Sequence, residues 1–208
     1  AFRGAAVWER YGTRILIGLG ALVLVGLLSI FVSRSRTQSE ERAAGEIFRA
    51  RMSLAQRDYP TAIQMFRDIV DNSPGTNAAR DAMQFLGDTY AMQGKSEEAV
   101  NWYRRFLGKA GGDPTVKSAA LHGLASSLED RGDFQQAASS YGDLAKLSET
   151  DFERARVLLA QARCYGRAAE QSLEGNDFAA VLAHSRRGIE CGADDALRGR
   201  LRLLESEA

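Results

Sequence analysis

Residues that carry chemistry are scarce in this chain of 208 residues. It has two cysteines and two histidines, and the cysteines are not in CxxC spacing, which argues against a zinc or thioredoxin-like site. The motifs HExxH, GxSxG, GxGxxG and GxxxxGKS/T do not occur. We therefore expect no enzyme activity, no cofactor, no metal and no small-molecule substrate.

The chain also lacks an excess of either charge and has only three prolines. Lysine plus arginine equals aspartate plus glutamate, at 27 each. The first 36 residues hold five arginines and one acid, which leaves 22 basic and 26 acidic side chains in the rest, a net charge of −4. A mildly acidic body repels nucleic-acid phosphates, so nucleic acid is not an expected partner. Few prolines and many alanine, leucine, glutamate and arginine residues favour helix.

The longest apolar run covers residues 15–32, eighteen residues without a charge. As a helix this run rises about 27 Å, close to the ~30 Å hydrocarbon core of a bilayer. Arg14 precedes it and Arg34 follows it, and Trp8 and Tyr11 lie where interfacial aromatic residues are found. The run therefore predicts a helix that binds the lipid bilayer.

The predicted transmembrane helix covers residues 15–33 and follows a tail over residues 1–14. The alternative is a cleaved signal peptide, whose apolar region is about 7–15 residues long and ends in a small-x-small site. Here the run is longer and continues into SRSR. Arginines are balanced on its two sides, but a short tail before a long domain suits a signal-anchor whose domain lies outside the cytoplasm.

A pattern of small and aromatic residues recurs four times after the apolar run. The positions equivalent to its alanine are Ala62, Ala99, Ala137 and, in a weaker copy, Val181. They are 37, 38 and 44 residues apart. The aromatic partners, four residues later, are Phe66, Tyr103 and Tyr141. Apolar residues spaced by three and four precede each copy, so each predicts a second helix packed on a first one.

The stretch RGDFQQAASSYGDL shows the physical role expected for each position. Gly132 lets the chain reverse between two helices without a Cβ clash. Phe134 starts the second helix and packs under the first. Ala137 lies where the two backbones come closest, and Tyr141 fills the gap to the next repeat.

These positions resemble the tetratricopeptide repeat (TPR) family, over about residues 42–193. That pattern has Leu, Gly and Tyr on a first helix, a glycine turn, and Ala with an aromatic residue on a second. The matching residues are Ala50, Tyr59, Ala62, Phe66 and Pro74 in the first repeat, Leu86, Gly87, Tyr90, Gly94, Ala99 and Tyr103 in the second, and Leu124, Ala125, Gly132, Phe134, Ala137 and Tyr141 in the third. The resemblance implies that these residues pack the repeats together.

The expected architecture is all-α. A linker over 34–41 leads to a solenoid over 42–193 and a capping helix within 194–208, since the last apolar face of a solenoid needs a cover. The predicted helical pairs are 40–56 with 59–72, 76–93 with 96–108, 113–131 with 133–147, and 151–174 with 176–190. The transmembrane helix is free to continue into the first of these.

Several residues mark the predicted helix starts. Pro60 and Pro114 suit the first turn, where a missing N–H costs nothing. Ser96 is expected to cap its helix, and Thr150 with Glu153 forms a capping box.

The resemblance also places a set of mostly polar residues on the inner face of the superhelix. This candidate partner groove consists of Gln84, Asp88, Met92, His122, Ser126 and Glu129. The alternatives are a ligand or metal site and a solvated groove wall. The Lys and Asn residues with which some family members clamp a terminal carboxylate are absent from the matching positions.

The two cysteines, Cys164 and Cys191, are a candidate disulfide if the domain faces an oxidising compartment. Cys164 is expected near the start of the fourth pair's first helix and Cys191 just past the end of its second, and antiparallel packing brings those ends together. The alternative is that both are ordinary buried apolar residues.

The features together favour a non-enzymatic membrane-anchored scaffold. The resemblance is greatest to bacterial envelope TPR proteins that assist protein export, outer-membrane barrel assembly or the Tol-Pal system. It implies a single-pass protein of the bacterial inner membrane with a periplasmic domain, acting as an accessory, structural or assembly subunit of an integral-membrane complex for export, respiration or photosynthesis. The alternative function is a periplasmic co-chaperone or receptor that binds peptides in the groove.

Overall fold

The structure is a computed structural model that describes residues 4–111, 113–175, 177–190 and 195–207; within the first helix, side chains are described at 22–30, 34 and 37–55. These residues form nine α-helices. Their bounds are α1 Gly4–Ala55, α2 Tyr59–Asn72, α3 Asn77–Met92, α4 Ser96–Leu107, α5 Pro114–Asp130, α6 Phe134–Leu147, α7 Asp151–Glu174, α8 Phe178–Glu190 and α9 Asp195–Glu207. The predicted all-helical fold is confirmed over the described chain.

Consecutive helices pack on one another from α1 to α9. First helices of neighbouring pairs also touch, α1 with α3 and α3 with α5, and α7 touches α9. This is the packing of an α-solenoid, in which each hairpin contacts the next. The bounds of α2 to α8 differ from the predicted ones by at most two residues at either end, whereas α1 begins far earlier than predicted, at Gly4.

No helix in the described part of the chain has an apolar stretch long enough to cross a membrane.

The predicted span over 15–33 lies only partly among the described side chains. Those at 22–30 are described, and the side chains at 15–21 and 31–33 are not.

α1 is joined to the second repeat by two contacts. Both carboxylate oxygens of Glu40 accept hydrogen bonds from the start of α3, from the N–H of Asn77 at 2.9 Å and of Ala78 at 3.0 Å. Further along, the Arg51 guanidinium lies 5.4 Å from the centre of the Phe85 ring. The earlier residue of α1, Glu40, contacts the start of α3, and the later one, Arg51, contacts a later residue of α3. The two helices therefore run in the same direction.

The small residues of the repeat lie in the core. Ala62, Ala99 and Ala137 are fully buried. The aromatic residue one turn later is also buried in each repeat. In the first repeat it is Phe66, whose ring stacks on Phe85 at 5.2 Å between centres.

The turn inside each of the first three hairpins holds a residue with positive φ. These are Arg57 at 61°, Gly94 at 71° and Gly132 at 83°. A Cβ at Gly132 would meet no atom within 4 Å. The left-handed backbone, rather than the Cβ clash expected from the sequence, is therefore why glycine suits this position.

Most of the side chains that cap helix starts were not predicted from the sequence. Pro60 and Pro114 lie in the first turns of α2 and α5 as predicted, and the preceding Asp58 and Asp113 accept N–H hydrogen bonds there. The Thr150 hydroxyl accepts from the Glu153 N–H, as the capping-box pattern predicted. The prediction for Ser96 is wrong, since it is the first residue of α4 and makes no capping hydrogen bond.

Two further packing details concern α6 and the end of the solenoid. Phe134 begins α6, but its ring is half-buried and lies 5.0 Å from the Arg167 guanidinium of α7. The sequence predicted that Phe134 packs under α5. Its ring also packs towards the following helix, α7. α9 covers α7 and α8 with Leu201 and Leu204, both buried.

Candidate partner-binding face

The predicted groove residues fall on two adjacent helices. Gln84, Asp88 and Met92 are spaced by four along α3, and His122, Ser126 and Glu129 follow one side of α5. Spacings of three and four place side chains on one face of a helix. Because α3 and α5 pack side by side, the two rows are neighbours. Met92, His122 and Ser126 are exposed, while the other three are half-buried.

Asp88 is held by the packing of its own repeat. The Tyr103 hydroxyl donates a 2.6 Å hydrogen bond to its carboxylate. Burial raises the pKa of Asp88 above its ordinary value, and the hydrogen bond from Tyr103 opposes this only in part. Burial, together with the nearby carboxylate, also raises the pKa of the Tyr103 phenol. Asp88 therefore serves mainly to satisfy a buried hydroxyl.

Glu129 of the third repeat, like Asp88, is a carboxylate beside a buried tyrosine. Its carboxylate lies near the Tyr141 hydroxyl and the Cys164 thiol and helps to raise the pKa of both groups. Burial, aided by Glu129, raises the pKa of Tyr141. The same two causes raise the pKa of the Cys164 thiol to about 12. At neutral pH the thiol is protonated and is a poor nucleophile.

The position predicted for Cys164 is wrong. It lies in the middle of α7, buried against Glu129 of α5, and not near the start of its helix. Cys191 lies outside the described residues, so the disulfide stays a prediction.

A cleft that the sequence did not predict opens between α5 and α7 beside His122. Its volume is about 390 Å³, and the end of α6 forms its floor. Its lining is Pro114, Thr115, Ser118, Ala119, His122, Leu144, Leu147, Ser148, Glu149, Glu153, Arg156 and Val157. One feature of the sequence is related to this cleft. The third and fourth copies of the pattern are 44 residues apart, a longer spacing than between the other copies, and the 24-residue α7 lies between them.

The cleft combines apolar and charged surface. Leu144, Leu147 and Val157 provide the apolar part, with Glu149, Glu153 and Arg156 around it. A concave surface of this kind suits an apolar side chain with polar neighbours. The Ser118 hydroxyl in its wall donates to the Pro114 carbonyl. Over the described residues, no group of three His, Cys, Asp or Glu side chains is placed to hold a metal.

A comparison of the chain with known sequence families supports the resemblance of its repeats. Two family profiles, both described as tetratricopeptide repeat, match residues 49–114 and 120–155. These segments are tetratricopeptide repeats. They cover the helices from the end of α1 to the start of α7, the part of the solenoid that carries the Ala–aromatic pairs. No curated protein matches the chain.

TPR repeats bind other proteins, and their packed hairpins form an extended surface for this purpose. The repeats therefore support a protein–protein interaction scaffold. Of the predicted groove, the exposed Met92, His122 and Ser126 are the side chains most available to a partner, with Gln84 half-buried beside them.

Proposed function

We propose that the chain is a membrane-anchored TPR scaffold without enzyme activity, which packs on an integral-membrane protein complex as an accessory, structural or assembly subunit. The observation that carries the proposal is a band of exposed apolar residues on α1. Seven large apolar side chains within residues 22–30 are between 54 and 70% exposed: Leu22, Val23, Leu24, Val25, Leu27, Leu28 and Ile30.

These seven side chains surround the helix and do not form a stripe, since they include four in succession. A helix of a water-soluble domain keeps a polar face, whereas a helix that is apolar all round is buried in protein or lipid. In sequence the band is the centre of the uncharged run over 15–32, whose helical length is close to that of a hydrocarbon core. The lipid bilayer is the environment that best explains it.

The unbroken α1 supports a structural role. The same helix carries the apolar band and, through Glu40 and Arg51, the first contacts to the second repeat. A solenoid joined to its anchor by a continuous helix has a restricted position above the membrane, which suits a fixed subunit. The proposed location is the bacterial inner membrane, with a single span and a periplasmic solenoid.

A second candidate function is a periplasmic peptide-binding co-chaperone or receptor. The cleft between α5 and α7 favours it, because 390 Å³ accommodates one or two side chains of an extended peptide. Its exposed wall includes His122.

Carbonate extraction of membranes tests the anchor. We expect the full chain to stay in the membrane pellet, and the double variant Leu24→Arg, Leu27→Arg to be released, since an arginine at the centre of a span costs about 2.5–3.5 kcal/mol. Leu203→Arg, at an exposed leucine of α9, is the matched control and should stay in the pellet. Release of the unaltered chain would overturn the anchor.

Purification in mild detergent followed by native mass spectrometry tests the subunit role. We expect the chain to leave the column in a fixed ratio with integral-membrane proteins. A protein that runs alone, yet binds extended peptides reversibly in a manner lost in Ala119→Trp, is instead the peptide receptor. Ala119 is exposed in the cleft wall, so tryptophan there fills the cleft without entering the core.

A further inference from the structure

We propose that the edge of the solenoid formed by the starts of its first helices lies against the bilayer, and that Arg80 and Lys109 on this edge bind the phosphate of an anionic lipid headgroup. The proposal rests on the membrane anchor proposed above.

The direction of α1 decides which edge faces the membrane. The apolar band at 22–30 lies towards the N-terminus of α1, and the contacts to the second repeat lie towards its C-terminus. Because α3 runs parallel to α1, its start points back towards the band. The loops 73–76 and 108–111, which border the start of α3 and the end of α4, lie on this same edge. The turns at Arg57, Gly94 and Gly132 lie on the opposite edge.

The distance from band to edge is short. The apolar run ends at residue 32, and Glu40, which contacts the start of α3, is eight residues later. Eight helical residues rise about 12 Å. The headgroup layer is roughly 5–8 Å thick on each side of the hydrocarbon core. A long side chain on the loop next to α3 spans the few ångströms that remain, and tilt of α1 reduces them further.

A cleft of about 290 Å³ is present on this edge. It is lined by Gly75, Thr76, Asn77, Arg80, Met83 and Lys109, with Ala79. Side chains of a helix lean towards its N-terminus, so Arg80 on α3 leans towards the edge. Lys109 comes from the loop after α4 and is exposed. Two cations from different elements, α3 and the loop after α4, thus line one cleft.

The bonding around Arg80 leaves a donor for a ligand. Its Nε is buried and has no hydrogen-bond partner in the part of the chain that the structure describes. Its Nη2 lies 3.6 Å from a carboxylate oxygen of Asp81, which is longer than a charge-assisted hydrogen bond. The Arg80 side chain as a whole is 28% exposed, so a phosphate diester can accept from the accessible part of its guanidinium and from the Lys109 ammonium.

The site depends on these side chains and not on the helix terminus. The first N–H groups of α3 are already occupied, since Asn77 and Ala78 donate to Glu40 and Ala79 donates to the Thr76 hydroxyl. The Glu40 carboxylate is therefore compensated by the positive end of α3. Lys109 makes no ion pair among the described residues and provides the net positive charge for an anionic headgroup.

Hydrogen–deuterium exchange of the full chain in lipid nanodiscs tests the proposal. We expect the amides of residues 73–80 and 108–111 to exchange more slowly in nanodiscs that contain phosphatidylglycerol than in nanodiscs of phosphatidylcholine alone. Each basic residue near an anionic surface favours contact about fivefold, so Lys109→Gln should remove a large part of the difference. Arg80→Gln should remove it as well.

Matched controls separate lipid binding from folding. Lys95→Gln changes an exposed lysine on the opposite edge and should leave the lipid difference intact. Lys109 is exposed, so its replacement should leave exchange in α5 and α6 unchanged even if Arg80→Gln loosens the fold. Inorganic phosphate added to phosphatidylcholine nanodiscs should not reproduce the protection, and if it does, the ligand is a soluble anion and the lipid proposal is wrong.

The outcomes also separate this proposal from the anchor. A chain that fails to enter nanodiscs of either composition overturns the anchor and this proposal together. A chain that enters both and exchanges equally in both overturns only the headgroup contact.

Discussion

The Tyr103 hydroxyl donates a hydrogen bond of 2.6 Å to the Asp88 carboxylate. The ring that carries this hydroxyl lies between two first helices, against Gly87 of α3 and Gly123 of α5. A Cβ at Gly123 would come 2.4 Å from Cζ of the ring, and one at Gly87 would come 2.7 Å from Cε1. The second and third repeats are therefore joined by an aromatic ring that needs glycine on both sides.

The first prediction concerns this slot. Gly123→Ala forces the Tyr103 ring to move, and overpacking of a core costs about 1–3 kcal/mol, more than the roughly 1 kcal/mol that alanine adds to helix propensity. We expect a lower urea midpoint of unfolding for the full chain in mild detergent. Gly45→Ala is the matched control, because a Cβ at Gly45 of α1 meets nothing within 4 Å and should raise stability slightly.

Combining Gly123→Ala with Tyr103→Leu tests the cause. If the ring is responsible, the two substitutions are non-additive and the double variant loses less than the sum of the single losses. If the stability losses of the two single variants simply add in the double variant, the contact between the Tyr103 ring and Gly123 is not the cause of the loss.

The second prediction concerns pH. Because the pKa of Asp88 is raised above its ordinary 3.8, the folded chain keeps this proton at pH values where the unfolded chain has lost it. The contribution of Asp88 to stability is therefore most favourable below pH 3.8 and is lost as pH rises through the raised pKa. Asp88→Asn, which keeps an acceptor for Tyr103, should gain stability over the unaltered chain as pH rises from 4 to 7, by urea unfolding at each pH.

Tyr103→Phe changes the other partner of the same hydrogen bond. It removes the donor and leaves a half-buried carboxylate unsatisfied, which costs about 1–3 kcal/mol. An Asp88→Asn variant whose advantage is independent of pH would refute the role of the buried charge.

The third prediction concerns Arg57. This residue has φ of 61° at the turn position where the next two repeats have Gly94 and Gly132. A left-handed backbone costs a residue with a Cβ about 1–2 kcal/mol, and glycine loses roughly 0.5–1 kcal/mol of chain entropy instead. Arg57→Gly should therefore stabilise the chain by about 0.5–1 kcal/mol in thermal unfolding.

Arg49→Gly is its control, since Arg49 is an exposed residue within α1. There glycine should destabilise by about 0.8–1 kcal/mol. The same sign for both substitutions would show that backbone conformation at Arg57 is not the cause.

The fourth prediction concerns the contact of α1 with the second repeat. Removing the Glu40 carboxylate in Glu40→Ala leaves the N–H groups of Asn77 and Ala78 without their acceptor, and loss of a helix cap costs about 0.5–2 kcal/mol. We expect faster amide exchange at the start of α3. Glu41→Ala, at the exposed neighbour, should leave that exchange unchanged.

Part of the binding face could be predicted from the sequence. Periodicity placed Gln84, Asp88 and Met92 on one helix face, since residues four apart always share a side. It did not separate the exposed Met92 from Asp88, because the hydrogen bond that holds Asp88 comes from Tyr103 of another helix. The cleft beside His122 depends on how α7 packs on α6, so no local pattern revealed it.

The amino-acid sequence by itself determined the helices, their pairing and the buried alanines, because helix periods, prolines and the Ala–aromatic spacing act over a few residues and recur in each repeat. Only the tertiary structure decided which polar side chains are exposed and which are bound within the core. It also decided that Cys164 lies against Glu129 and that Arg80 and Lys109 meet in one cleft. Those relationships join residues that are far apart in the chain, and they depend on the angle between packed helices, which the repeat pattern leaves open.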